Sequence, residues 1–122
     1  MKYACLCYDE EKKLKGMSKD EWNTVVRETV SYNEELKKSG RLIAAQALQP
    51  VASAATVRVH DGKVSVTDGP FAETKEQLGG FFLIESRDLN EAIQVASRLS
   101  GARLGCIEVR PTAELNEDGF GN

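Results

Sequence analysis

No apolar run in this 122-residue sequence reaches the length of a membrane span, and no stretch gathers lysine and arginine into a basic stripe. A helix needs about 20 consecutive apolar residues to cross a bilayer, and a nucleic-acid backbone is gripped by clustered positive charge. Here the net charge is -3, with acids and bases mixed along the chain, which argues against nucleic acid as a direct partner. The opening MKYACLCYDE meets acidic residues after a short apolar run, too short for a signal-peptide core or a span, so a cytoplasmic protein with no membrane association is expected. Cysteine is scarce and odd in number: three residues argue against a disulfide framework and for reduced thiols. Cys5 and Cys7 share one face of an expected strand, a start for a soft-metal site if other ligands converged. No second Cys or His pair follows, so they read as buried small hydrophobes, and no metal is expected.

What is present describes an ordinary folded domain. The apolar fraction is 41% and the charged fraction 29%, and the length suits one domain with one site, or a site shared with a second copy. Residues 2–8 are apolar almost throughout, which suits a central strand covered on both faces. In MSKDEW, Ser18 and Glu21 form a capping box, and Met17 is placed to staple onto Trp22. The spacing of Trp22, Val25, Val26, Thr29, Val30, Asn33 and Leu36 predicts an amphipathic helix closed by Gly40. RLIAAQAL reads as a second strand ended by Pro50.

The strongest local signal is TVRVHDGKVSVT, strict alternation on both sides of Asp61-Gly62, the pair that supplies positive φ to a type I′ hairpin. Pairing across that turn sets Val57 against Val66 and Val59 against Val64 on one face, and puts His60 on the polar face. GGFFLIE predicts a further strand. SRDLNEAIQVASRLSGA predicts a helix capped by Asp88 and Glu91, striped by Leu89, Ala92, Ile93, Ala96 and Leu99, and ended by Gly101. LGCIEVR is the last strand. One domain is expected over residues 1–112, with a polar, flexible tail over 113–122. Without the hairpin the order is β-α-β-β-α-β, a ferredoxin-like α+β fold with helices on one sheet face. A second copy covering the other face is the economical solution, so a homodimer whose sheets enclose a barrel-like space is expected.

The segments ALQPVASAATVRV, DGKVSVTDGPFAETKEQLGGFFLIE and IEVRP, with MKY at the start, resemble the YCII-related superfamily in its branch named for the Asp-Gly-Pro-Phe motif. The resemblance spans residues 1–111 and implies a dimeric ferredoxin-like α+β barrel with a small-molecule site at the dimer cleft. It also implies genes neighbouring extracytoplasmic-function sigma factors. Dehalogenating relatives use a His-Asp pair with the His in or near the first helix. This chain departs there, because its one histidine is His60, in the hairpin, so that mechanism does not transfer.

The residues of the 66–82 stretch leave two readings open. In one, Asp68 is a general acid or base and Lys75 orients or neutralises an anionic substrate. In the other, Asp68 caps the Asp68-Gly69-Pro70 turn and the charges of Glu73, Lys75 and Glu76 are a solvated face. Phe71 is placed to plug the loop onto the sheet. His60, Tyr8 and Arg110 complete the ligand-binding candidates, with Arg110 and Glu108 on one strand face. Gly79-Gly80 lacks the Lys and Ser/Thr of a P-loop, so nucleotide cofactors have no support and none is expected. The expected function is binding of a small polar or anionic organic molecule with lyase- or hydrolase-like acid-base chemistry. The alternative is a non-catalytic accessory or regulatory protein acting with a sigma factor.

Overall fold

The computed structural model describes residues 1–121; Asn122, the end of the tail expected to be flexible, lies outside the described residues. Strand β1 (Lys2–Asp9) leads through a short helix α1 (Glu11–Lys15) into the long helix α2 (Lys19–Lys38), and β2 (Leu42–Ala47) follows. A 3₁₀ turn at Val51–Ser53 delivers the chain to β3 (Ala55–His60) and β4 (Lys63–Asp68). Then come β5 (Gln77–Glu85), α3 (Leu89–Ser97), α4 (Gly101–Leu104) and β6 (Cys106–Pro111). The tail carries a short hairpin of β7 (Glu114–Asn116) and β8 (Gly119–Gly121).

The fold is mixed α+β. Four strands make one antiparallel sheet in the order β2-β5-β1-β6, and β3 with β4 makes a separate two-stranded sheet. Tyr3 lies opposite Ile84 and Pro111, and Cys5 opposite Phe82 and Val109. Because strand side chains alternate, these residues share one face, where Tyr32 and Leu36 of α2 and Ala92, Val95 and Ala96 of α3 close the core over them. Ile84 is fully buried there and contributes roughly 2 kcal/mol on area grounds. The opposite face holds Leu6, Tyr8, Phe81 and Leu83, half-buried with no helix over them. Strand β1 is therefore central in the sheet but covered by its own chain on one face only.

Local chemistry sets the element ends. Ser18 Oγ accepts from the Glu21 N–H at 3.1 Å while Glu21 Oε1 accepts from the Ser18 N–H at 3.2 Å, completing the capping box. Asp88 Oδ1 accepts from the Glu91 N–H at 2.9 Å, and Glu91 Oε1 accepts from the Arg87 N–H at 3.2 Å. At the hairpin turn both Asp61 and Gly62 have positive φ (49° and 76°), and the register pairs Val57 with Val66 and Val59 with Val64.

Two helix stripes differ from expectation. Buried α2 residues are Val25, Tyr32 and Leu36, whereas Val26 and Val30 are exposed. Each stands one position on from Val25 or Thr29, about 100° round the helix and off the core line. Tyr32 joins the core because its hydroxyl finds Val95 O at 2.8 Å and its ring lies beneath the Arg98 guanidinium. In α3 the buried row is Ala92, Val95 and Ala96, with Leu89 and Ile93 turned outward. That helix ends at Ser97, not Gly101: the Arg98 and Leu99 N–H groups reach back to Val95 and Ala96 carbonyls, a 3₁₀ tightening, and Gly101 opens α4 instead.

Candidate functional site

The loop 69–76 joins the outer hairpin to the sheet, and local bonds hold it at both ends. Gly69, at φ 97°, donates its N–H to Ala54 O at 2.7 Å and accepts from Thr56 Oγ1 at 2.9 Å. Further along, Thr74 Oγ1 donates to Glu76 O, and Gln77 Nε2 donates to Thr74 O, both at 2.6 Å. Lys75 reaches Glu10 at 3.4 Å, and Cys106 Sγ donates to Glu76 Oε2 at 3.3 Å. The loop thereby encloses, with the Pro50 turn and the end of β1, a cleft of about 800 Å³ lined by Tyr8, Pro50, Phe71, Thr74, Glu76 and Leu78. That volume suits a small organic ligand.

Of the residues singled out from sequence, this cleft brings Tyr8 and Phe71 together. Phe71 remains 79% exposed, so its ring is not seated as a plug. Asp68 ends β4, exposed, and among the described residues nothing donates a hydrogen bond to its carboxylate. Glu73 is exposed on the loop, and Lys75 is spent on Glu10. Arg110 is held by Glu108 of its own strand, its Nε donating at 2.8 Å. Glu108 and the nearby Tyr8 oxygen both favour its charged form, Glu108 the more. His60 stands at the hairpin tip, 3.3 Å from Asp61 and outside the cleft lining.

A second cavity system lies on the helix side of the sheet, and sequence reasoning passed over its central residue. Asp9 lines both an outer cleft of about 670 Å³, between α1, the start of α2 and the Leu48–Pro50 connection, and an inner cavity of about 280 Å³ under α2. Its neighbours are already committed: Glu10 holds Lys13 and Lys75, and Glu11 Oε1 accepts from the Val51 N–H at 2.8 Å. Among the described residues no cation or hydrogen-bond donor meets the Asp9 carboxylate. Burial first, and then the charges of Glu11 and Glu76, hold its carboxyl above the ordinary range. Gln77, its register partner across β1 and β5, lies beside it. With Nε2 given to Thr74, the Gln77 Oε1 atom is buried and among the described residues has no partner. The available signal was the run of three acids, residues 9–11, ending an apolar strand.

The inner cavity also holds Cys7, whose thiol burial pushes up to about 11, and the hydroxyl pair Thr29 and Ser100 at 3.0 Å. Cys5 is likewise pushed up to about 11 by burial, and all three cysteines are free thiols. Among the described residues no group of three His, Cys, Asp or Glu side chains is arranged to hold a metal ion, and no helix is long and apolar enough to cross a membrane.

Comparison with known proteins adds two findings. The family model described as YCII-related domain matches residues 1–116. An uncharacterised protein of Rhizobium meliloti (strain 1021) is 44% identical over 115 residues, covering 93% of each chain.

Proposed function

The chain belongs to the YCII-related domain family, and from that premise we propose that it works as a homodimer of ferredoxin-like domains binding a small polar organic molecule beside the loop 69–76. The cleft of about 800 Å³ joining Tyr8 to the Asp-Gly-Pro-Phe loop carries this reading. The strand order β2-β5-β1-β6, with α2 and α3 on one face, supports the ferredoxin-like part of this reading. A second copy laid on Leu6, Phe81 and Leu83 covers the remaining face and closes the pair of sheets into a barrel.

Of the polar and anionic ligands considered, a neutral or weakly charged one fits better. The two cations among the ligand-binding candidates, Lys75 and Arg110, already pair with Glu10 and Glu108. Acid-base chemistry of the lyase or hydrolase kind falls in this reading to the Tyr8 hydroxyl and the Glu76 carboxylate in the cleft, with Asp68 two residues before Pro70 at its rim. The test is light scattering of the purified protein at micromolar concentration, followed by its crystal structure. A dimer mass with ordered ligand density against Tyr8 and Phe71 supports the reading. A monomer removes the shared site, and a dimer with an empty cleft turns attention to an accessory role beside a sigma factor.

A further inference from the structure

We propose that the outer helix-side cleft is a binding site for a small organic amine, its ammonium head between Asp9 and Gln77 and its apolar body against Trp22. Asp9 and Gln77 are cross-strand partners and both line this cleft of about 670 Å³. One offers a carboxylate that meets no cation or donor among the described residues, the other a buried amide oxygen whose orientation is fixed by the Nε2 bond to Thr74 and which has no donor. Two unmet acceptors side by side ask for a ligand that donates. The charges that act on Asp9 are those of Glu11 and Glu76, both acidic, which favours a cationic head over a neutral hydroxyl. Lys15 and Lys19 also line the cleft, and among the described residues neither forms an ion pair with Asp9.

The rest of the lining is apolar where the body of such a ligand would lie: Leu14, Met17, Trp22, Leu48 and Leu78. Trp22 adds an aromatic face suited to cation–π or stacking contact. The carboxylate itself has space reserved for it, since a Cβ at Gly79 would stand 2.8 Å from Asp9 Oδ2. The site does not depend on the dimer, and it shares Gln77 and Leu78 with the loop-side cleft.

Trp22 is the one tryptophan of the chain and lines the cleft, so its fluorescence reports occupancy directly. The full chain is titrated at neutral pH with phenethylamine, phenethyl alcohol and phenylpropionate, which share a body and differ in the head. The amine is expected to give a saturable change, with the alcohol weaker by on the order of tenfold and the carboxylate weaker still. Asp9→Asn is expected to weaken the amine by a similar factor and to erase its advantage over the alcohol. No saturable response to the amine, equal affinities for all three probes, or an unchanged amine affinity in Asp9→Asn would each overturn the proposal. If Asp9→Asn loses its helical circular dichroism, Gln77→Leu replaces it, and the ranking of the three probes on the unaltered chain still decides.

Discussion

Gly79 gives its side-chain space to Asp9: a Cβ built at position 79 would stand 2.8 Å from Asp9 Oδ2. At Gly105 the obstacle is the Tyr8 carbonyl oxygen, which belongs to the backbone and cannot rotate away. Gly105→Ala is therefore expected to destabilise strongly, by about 3 kcal/mol or more, and Gly79→Ala by about 1 kcal/mol. Urea unfolding of the two variants checks the order. Adding Asp9→Ala to Gly79→Ala is expected to recover most of the smaller loss, since it removes the atom that collides.

The Asp9 carboxyl titrates above its ordinary value of 3.8, chiefly through burial. The unfolded chain therefore releases this proton first as pH rises. Asp9 thus contributes stability that is present below 3.8 and lost as pH climbs through the folded value. Asp9→Asn removes that loss, so the stability of the variant relative to the parent is expected to rise with pH across this window. Denaturant midpoints from acid to neutral pH measure it, and a flat difference would refute it.

Cys106 is exposed, yet the hydrogen bond to Glu76 and the Glu76 charge both raise its pKa. Replacing the acid by Glu76→Gln lowers that pKa and increases the thiolate fraction. Disulfide-exchange labelling near neutral pH is expected to speed up at Cys106, while Cys5 and Cys7, at about 11, stay slow in the folded protein.

Ser18 and Glu21 satisfy each other's backbone N–H groups at the start of α2. Ser18→Ala is expected to cost about 0.5–2 kcal/mol in thermal or urea unfolding, and Ser18→Asp to cost much less.

The proposed dimer rests on the half-buried apolar face of β1 and β5. Phe81→Lys places a charge at its middle, opposite Leu6, and is expected to shift the light-scattering mass to a monomer while the helical circular dichroism is kept.

Much of the fold was legible because local chemistry wrote it. Ser18 and Glu21 announced α2, Asp61-Gly62 announced the hairpin with its register, and Asp88 announced α3. The expected helix stripes hold the buried Val25, Leu36, Ala92, Ala96 and Leu99 but also the exposed Val26, Val30 and Ile93, because a hydrophobic count treats Val26 and Val25 alike, whereas only geometry shows Tyr32 reaching across to Val95. In the 66–82 stretch the sequence leaves open whether the charges build a site or a solvated face. Which acids are already bonded is a tertiary fact: Lys75 meets Glu10, a partner far away in sequence, and Asp9 stands out only once Glu10 and Glu11 are seen to be occupied. No spacing rule in a single chain carries that information.

The β3–β4 hairpin shares no ladder with the four-stranded sheet, and its four valines are 62–68% exposed. The buried core around Ile84 includes none of its residues, so the hairpin is expected to open without unfolding the body. Amide protons of β3 and β4 are set to exchange through local opening, and those of β1 only through global unfolding. Anything that lies down on those valines will register first as slowed exchange in the arm, before any change reaches the body of the protein.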